Sequence, residues 1–329
     1  MDVLQRTQEG NAPSGSGALK ARHAVIGKAM QNIFSVDVED WFHILELPYT
    51  PDIDGWSRLE SRVEKNFHFL LDMFDKAGIH ATCFFLGWVA HRFPHLVREA
   101  QRRGHEISSH GYAHQLIYTQ TRCEFSRDIA KARAVLQDIC GEPVRGYRAP
   151  GFSITRETPW AFDEIVAAGY SYDSSVFPAN RGHGGIPDAR LEPYEVVTPG
   201  GTLLEFPITV APILNQRICF FGGGYLRLFP YFLIRRMTRA VNDSGRPVIF
   251  YIHPREIDPE HPRLPMGIRR RFKSYVNLSG TSSKLTRLLR DQELMSFRDW
   301  IAGRPIRIEE PKQDHAASLV KARSLAAGG

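Results

Sequence analysis

The feature that most constrains the fold of this chain is a regular alternation of short apolar runs with amphipathic segments over residues 33–175. The runs Ile33–Val38 and Ile79–Leu86 are short and mostly apolar, which is typical of strands buried on both faces. Between them, apolar residues recur at helical spacing from Ser57 to Lys76, and Gly78 supplies a C-terminal stop. Four such strand–helix units in succession favour parallel strands joined by right-handed crossovers. The sequence therefore predicts an α/β fold built on a parallel sheet.

Carboxylates gather where the first of these strands ends. Asp37, Glu39 and Asp40 lie within one short stretch, and burying several carboxylates is costly unless they are paired or bound to a cation. The carboxyl ends of parallel strands are also where α/β folds bind their ligands. The alternative is that these acids cap the next segment or face solvent.

Two histidines follow the third strand, which is predicted over residues 105–109. His110 and His114 are four residues apart, so on a helical turn both imidazoles point the same way and can reach one metal ion. On their own, two histidines at this spacing are more often ordinary surface or core residues. The nearby carboxylates strengthen the hypothesis, because two histidines and a carboxylate leave metal coordination positions open for water and substrate.

Further polar residues stand at the ends of later strands. Arg148 follows the fourth strand, Asp173 ends the fifth, and His253 follows the apolar run 247–252. If the strands close into a barrel, these side chains meet at one rim. A carboxylate can then take a proton from water, a histidine can give one to a leaving amine, and an arginine can hold the base ionised. This set of groups suits hydrolysis of an amide or ester without a covalent intermediate.

The ordered set of motifs resembles that of the NodB-type polysaccharide deacetylases, the fourth family of carbohydrate esterases. The five matching stretches are Ser35–Asp40, Ser109–His114, Arg148–Phe152, Asp173–Ser175 and Ile252–Pro254. The chain is most similar to the peptidoglycan-deacetylase-like branch and, through Asp-Val-Glu-Asp-Trp-Phe, to the subgroup encoded with exosortase-type exopolysaccharide systems. The resemblance implies an irregular β/α barrel with fewer than eight parallel strands and a C-terminal extension.

The resemblance also implies catalytic roles for four residues. Asp37 would be the base and Arg148 its ion-pair partner. His253 would be the acid, and Asp173 would orient it. For the substrate, Trp41, Tyr112 and Phe152 would line the sugar site, although ordinary packing explains these aromatic residues equally well.

A divalent metal is the cofactor that the resemblance implies, with zinc first and cobalt or nickel as alternatives. His110 and His114 would be two of its ligands. The third is either Glu39, which shares a strand face with Asp37, or Asp40, which has the shorter side chain usual at this position. The shared strand face favours Glu39, and Asp40 stays open as the alternative.

The expected function is metal-dependent removal of N-acetyl groups from N-acetylhexosamine units of a polysaccharide or its lipid-linked precursor, in exopolysaccharide biosynthesis. One alternative is hydrolysis of a small non-sugar amide, as in the allantoinase-type relatives. The other is a non-catalytic carbohydrate-binding relative in which the metal is weak or absent.

Composition and segment boundaries complete the expectations. We expect a disordered arm (1–30), a catalytic domain (31–255), an extension packing on the barrel (256–311) and a disordered tail (312–329).

No apolar run approaches the ~20 residues of a membrane span, and the arm is too polar for a signal peptide. These two features predict a cytoplasmic protein, with the inner membrane face as a further hypothesis. The basic run Arg269–Lys273 suggests a peripheral membrane or a pyrophosphate-linked glycan as partner. Nucleic acid is not expected.

Overall fold

The computed structural model describes residues 30–45, 52–180, 184–214 and 216–305. The predicted arm, apart from Met30, and the predicted tail lie outside these residues. Among the helices described, none is both long and apolar enough to cross a lipid bilayer.

Strands and helices alternate through the first half of the chain. The strands are β1 (Asn32–Val38), β2 (Thr82–Phe85), β3 (Glu106–Ser109), β4 (Gly146–Tyr147), β5 (Tyr172–Asp173), β6 (Tyr194–Thr198), β7 (Gly201–Glu205), β8 (Ala211–Ile213), β9 (Gln216–Ile218), β10 (Ile249–Ile252) and β11 (Leu294–Met295). The helices are α1 (Ile53–Trp56), α2 (Val63–Ala77), α3 (Gly87–Arg92), α4 (Pro94–Arg102), α5 (Arg122–Cys140), α6 (Ala161–Ala167), α7 (Gly223–Leu228), α8 (Tyr231–Asp243), α9 (Ile268–Tyr275), α10 (Thr281–Asp291) and α11 (Phe297–Ala302). Single 3-10 turns occupy Ile117–Thr119, Pro150–Phe152 and Pro254–Ile257.

One curled sheet carries the site. Its strand order is β10-β1-β2-β3-β4-β5-β7-β6, and β11 adds to β1 beyond this path. Every pairing along the path is parallel except that of β6 with β7. The path has β10 at one edge and β6 at the other, so the described strands form an open half-barrel rather than a closed one. The separate pair β8–β9 is antiparallel.

The alternation of side chains along β1 explains why a polar site sits on a buried strand. Phe34, Val36 and Val38 point to the layer of helices and join the main hydrophobic core. Ile33 points the other way, into a smaller cluster inside the half-barrel. Successive residues of a strand face opposite sides, so Asp37 shares the inner side with Ile33, above that apolar cluster. Each fully buried side chain of this core contributes roughly 1.5–3 kcal/mol.

The chain after residue 255 belongs to the same sheet. Strand β11 pairs with the start of β1, with Leu294 opposite Asn32. Helix α11 then places Phe297 and Trp300 in the inner cluster, next to Phe84. The predicted extension thus does more than pack on the outside of the barrel, because it adds a strand and fills the interior below the site.

Candidate active site

Asp37 and Arg148 form a buried ion pair at the centre of the site. The Nη1 group of Arg148, which directly follows β4, donates to Asp37 Oδ1 at 2.7 Å and to Ser35 Oγ at 2.8 Å. Both charged groups are buried. The guanidinium also lies 4.1 Å from the ring centre of Phe84, so packing fixes its position. Arginine neutralises the carboxylate that would otherwise be buried alone, and Oδ2 of Asp37 stays directed at the cavity.

Glu39, His110 and His114 come together beside this pair. Their ligand atoms all lie within 4.8 Å of one another, and all three residues are buried. His110 Nδ1 lies 2.8 Å from the carbonyl oxygen of Arg148. A carbonyl only accepts, so Nδ1 carries the proton and Nε2 keeps its lone pair, as in most metal-binding histidines.

The environment of Glu39 fits a cation. Its Oε2 is buried and lacks a hydrogen bond of acceptable geometry among the described residues, although His114 Nε2 is 2.5 Å away. Burial raises the pKa of Glu39, but His114, His253 and Arg255 outweigh burial and hold that pKa far below its usual value. Two imidazole nitrogens with one ionised carboxylate are the ligand set of a catalytic zinc.

The loop that carries the histidines is shaped by residues that sequence reasoning did not identify. Gly111 and His114 both have positive φ, 71° and 53°, a conformation that non-glycine residues adopt rarely. Asp128 of α5 accepts the backbone N–H groups of Tyr112 and Ala113 at 2.7 and 2.9 Å. This carboxylate therefore fixes the turn that aims both imidazoles inward.

Asp40 points away from the histidines. Its carboxylate accepts hydrogen bonds from Ser61 Oγ at 2.5 Å, from the backbone N–H of Trp41 at 2.8 Å, and from those of Arg62 and Val63 at 3.1 and 3.3 Å. These contacts hold the chain that enters α2. Of the two acids that the sequence left open, the structure places Glu39 beside the histidines and Asp40 in this turn.

Asp173 does not contact His253, contrary to the role expected for it. It accepts from Ser175 Oγ at 2.6 Å and lies opposite Glu205 in the pairing of β5 with β7. Burial raises the pKa of Asp173 to about 6, and burial together with the charge of Asp173 raises that of Glu205. Two adjacent buried carboxyl groups cannot both ionise easily, so this pair holds a proton below the site.

The carboxylate beside His253 is Glu256. Its Oε2 lies 3.6 Å from His253 Nδ1 and accepts the backbone N–H of His253 at 3.2 Å. Its Oε1 accepts from Arg227 Nε at 3.1 Å. Burial raises the pKa of Glu256, but Arg227 and His253 outweigh it and bring the pKa to about 2. A glutamate three residues after His253 was visible in the sequence, but its partner Arg227 was not predictable from spacing.

His253 faces the base across a short gap. Its Nε2 lies 3.7 Å from Asp37 Oδ2 and 3.6 Å from Glu39 Oε1. Burial alone lowers the pKa of His253, but Glu39, Glu256 and Asp37 outweigh burial and the net pKa is raised. The surrounding carboxylates therefore favour the protonated form of this histidine.

An open cavity of about 980 Å³ gives access to these groups. Of the predicted sugar contacts, Phe152 lines it. Trp41 is buried and donates through Nε1 to the carbonyl of Glu60 at 3.0 Å. The ring of Tyr112 instead lies against the ammonium of Lys131, 3.5 Å from it. Neither Trp41 nor Tyr112 is among the described residues that line this cavity.

His43 also lines the cavity and was not predicted. Its Nδ1 accepts the backbone N–H of Asp40 at 2.9 Å, and its Nε2 is buried without a hydrogen-bond partner in the described part of the chain. Its ring centre is 5.7 Å from that of His114. The signal available in the sequence was its position just after the acidic stretch that ends β1.

The candidate site lies at the carboxyl ends of the strands of a distorted β/α barrel. Residues 54–172 match the family "Polysaccharide deacetylase", and residues 174–302 match "Domain of unknown function (DUF3473)". Residues 54–172 are therefore similar to polysaccharide deacetylases, and a second matched region of unknown role follows them.

Among curated proteins, the peptidoglycan-N-acetylglucosamine deacetylase of Bacillus cereus is 28% identical over 96 residues, which is 29% of this chain and 35% of that protein. The match thus spans about a third of the relative's length. A protein of Mycobacterium smegmatis assigned as a polysaccharide deacetylase has a similar structure, with a TM-score of 0.52 at 19% identity over 87% of this chain and 97% of the other. The allantoinase Puue superposes with a TM-score of 0.55 at 17% identity, over 84% and 91% of the two chains. The predicted fold is confirmed.

Proposed function

We propose that this protein removes N-acetyl groups from N-acetylhexosamine units of a polysaccharide or of its lipid-linked precursor, in the synthesis of an exopolysaccharide. The observation that carries the proposal is that Asp37 and His253 face one another at the floor of an open cavity, next to the group formed by Glu39, His110 and His114. The polysaccharide deacetylase match supports it. A cytoplasmic location remains a prediction.

The chain's own residues supply the proton transfers. Asp37 Oδ2 takes a proton from the attacking water, while Oδ1 stays bound to Arg148. The water oxygen adds to the acetamide carbon, the carbon–nitrogen bond breaks, and His253 Nε2 gives its proton to the leaving amine. Acetate and a free amine result. Glu256 Oε2 lies 3.6 Å from His253 Nδ1, and its charge favours the protonated imidazole.

A divalent metal, zinc first, would be held by Glu39, His110 and His114. When bound, it would supply a Lewis acid for the acetamide carbonyl and lower the pKa of water. The resemblance to an allantoinase shows the fold alone. Hydrolysis of a cyclic ureide is therefore the alternative reaction that the assay below includes.

Acetate release from N-acetylated chitooligosaccharides tests the proposal. We expect Asp37→Asn to lower kcat by about 10²–10⁴-fold, the range that a general base contributes. We expect His110→Ala to abolish most of the activity, because it removes a metal ligand. Asp54→Asn, an exposed position on α1, is the matched control. Undiminished release by either variant would defeat the assignment, and faster hydrolysis of cyclic ureides than of any acetylated sugar would favour the allantoinase-like reaction.

A further inference from the structure

One wall of the cavity is basic and comes from the C-terminal third of the chain. Helix α9 contributes Arg269, Arg270 and Lys273 to the lining, and α7 lines the cavity as well. Both helices fall within residues 174–302, which match the domain of unknown function. The deacetylase match ends before this wall begins and assigns it no role.

Helix α9 is tied to the catalytic groups. The guanidinium of Arg227, on α7, donates from Nη2 to the carbonyl oxygen of Lys273 at 3.0 Å and from Nε to Glu256, the carboxylate beside His253. The two helices approach so closely that a Cβ added at Gly224 would lie 2.9 Å from the same Lys273 oxygen. Arg227 therefore links the basic helix to Glu256, the carboxylate that lies 3.6 Å from His253 Nδ1.

Two cations of this wall, Arg269 and Lys273, have no acidic partner among the described residues. Arg270 donates to the carbonyl oxygen of Leu45, in the chain that follows β1. Among the described residues, the carboxylate contacts of the other cavity-lining cations are Arg227 with Glu256 and Arg255 with Glu39.

Arg269 and Lys273 are exposed and remain without a carboxylate in the part of the chain that is described. They are four residues apart and share one side of α9, where like charges repel. An anion bound between them would remove this repulsion.

We propose that Arg269 and Lys273 bind an anionic group of the substrate while its acetamide lies at Asp37 and His253. The inference rests on the proposed function and names its substrate class: an N-acetylated saccharide that carries a phosphate, a diphosphate or a carboxylate close to the acetylated unit. Arginine offers a planar fork of donors and lysine a compact charge, and both match phosphate and carboxylate oxygens.

Apolar side chains accompany these cations on the same helix. Ile268 is 85% exposed and Phe272 is 55% exposed, and both line the cavity. Exposed apolar groups beside a binding site mark surface that a ligand covers. A lipid attached through a phosphate would cover them, whereas an acidic polysaccharide would use the cations alone.

Binding to the full chain, freed of metal with a chelator so that turnover is blocked, tests the inference by calorimetry. The probes are N,N′-diacetylchitobiose and its 1-phosphate. We expect the phosphate to bind more tightly, and Lys273→Glu to reduce this preference about tenfold, as loss of a charge-assisted hydrogen bond does. Arg271→Glu makes the same charge change on α9 at a position that is not among the lining residues, and leaves the preference intact.

Equal affinity of the unmodified chain for both probes would overturn the inference, as would equal effects of the two substitutions. A phosphate preference without acetate release from any glycan by the metal-loaded protein would count against the proposed function alone. Two more probes separate the sources of the anion, namely a prenyl-diphosphate-linked N-acetylglucosamine and a disaccharide of N-acetylglucosamine with glucuronic acid. If the substrate is lipid-linked, Phe272→Ser weakens binding of the prenyl-diphosphate probe. If the substrate is an acidic polysaccharide, the substitution leaves the binding of both probes unchanged.

Discussion

Replacing Asp40 with alanine is expected to lower stability but preserve metal binding, whereas replacing Glu39 with glutamine is expected to abolish metal binding. The carboxylate of Asp40 accepts from one hydroxyl and three backbone N–H groups, those of Ser61, Trp41, Arg62 and Val63. At about 1 kcal/mol net for each hydrogen bond, Asp40→Ala loses about 4 kcal/mol. Burial raises the pKa of Asp40, which means that its charge is costly to bury. Removing this charge offsets part of the lost hydrogen-bond energy, so we expect a net loss of about 3 kcal/mol in the free energy of unfolding.

Thermal unfolding with and without zinc measures both effects. A loss of about 3 kcal/mol lowers Tm by roughly 4–6 °C, because an unfolding entropy of about 2.1 cal/mol/K per residue adds up to about 0.6–0.7 kcal/mol/K in a chain of this length. Zinc at 100 times its Kd adds about 2.7 kcal/mol to the stability of a protein that binds it only when folded, so Tm should rise when zinc is added. We expect this rise in the wild-type protein and in Asp40→Ala, and no rise in Glu39→Gln.

The reverse result would refute this assignment of the two acids. If Asp40→Ala were as stable as the wild type and did not respond to zinc, Asp40 would be the ligand and Glu39 a structural residue. The two substitutions remove the same charge from adjacent positions, so each serves as the control for the other.

Two further predictions concern the acid and the cavity wall. We expect Glu256→Gln to lower kcat about tenfold and to move the alkaline limb of the pH profile to lower pH. His253 must be protonated to act as the acid. The carboxylate of Glu256 helps to raise the pKa of His253, so in the variant His253 loses its proton at a lower pH. The pH profile is measured by acetate release. A Cβ at Gly222 would lie 2.0 Å from the ring of Tyr251, a cavity-lining residue. Gly222→Ala is therefore expected to lower the free energy of unfolding by about 1–3 kcal/mol through overpacking, measured by denaturant unfolding.

Controls for both predictions are present in the chain. Asp173→Asn removes a carboxyl group that does not contact His253, so the alkaline limb should stay in place; an equal shift would show that Glu256 has no special role. Gly267 has open space around an added Cβ and no positive φ, so Gly267→Ala should leave stability within about 0.5 kcal/mol of wild type. A Gly222→Ala protein as stable as this control would contradict the packing argument.

The gathering of the central groups was predictable from the sequence. Asp37, His110, Arg148 and His253 each stand at the carboxyl end of a strand, and parallel neighbours bring those ends to one rim whatever the details of the crossovers. Strand geometry also favoured Glu39 over Asp40, because side chains two residues apart leave the same face. These predictions needed only local periodicity and the topology that it implies.

The partners of these groups were decided by tertiary structure. Asp40 turns to Ser61, about twenty residues later, and Glu256 replaces Asp173 beside His253 because Arg227, on a separate helix, holds it there. The placement of α9 along the cavity likewise depends on contacts with α7. Spacing along a strand determines the side from which a residue leaves the backbone, whereas its partner is chosen by segments that are distant in the chain and meet only once the crossovers have packed.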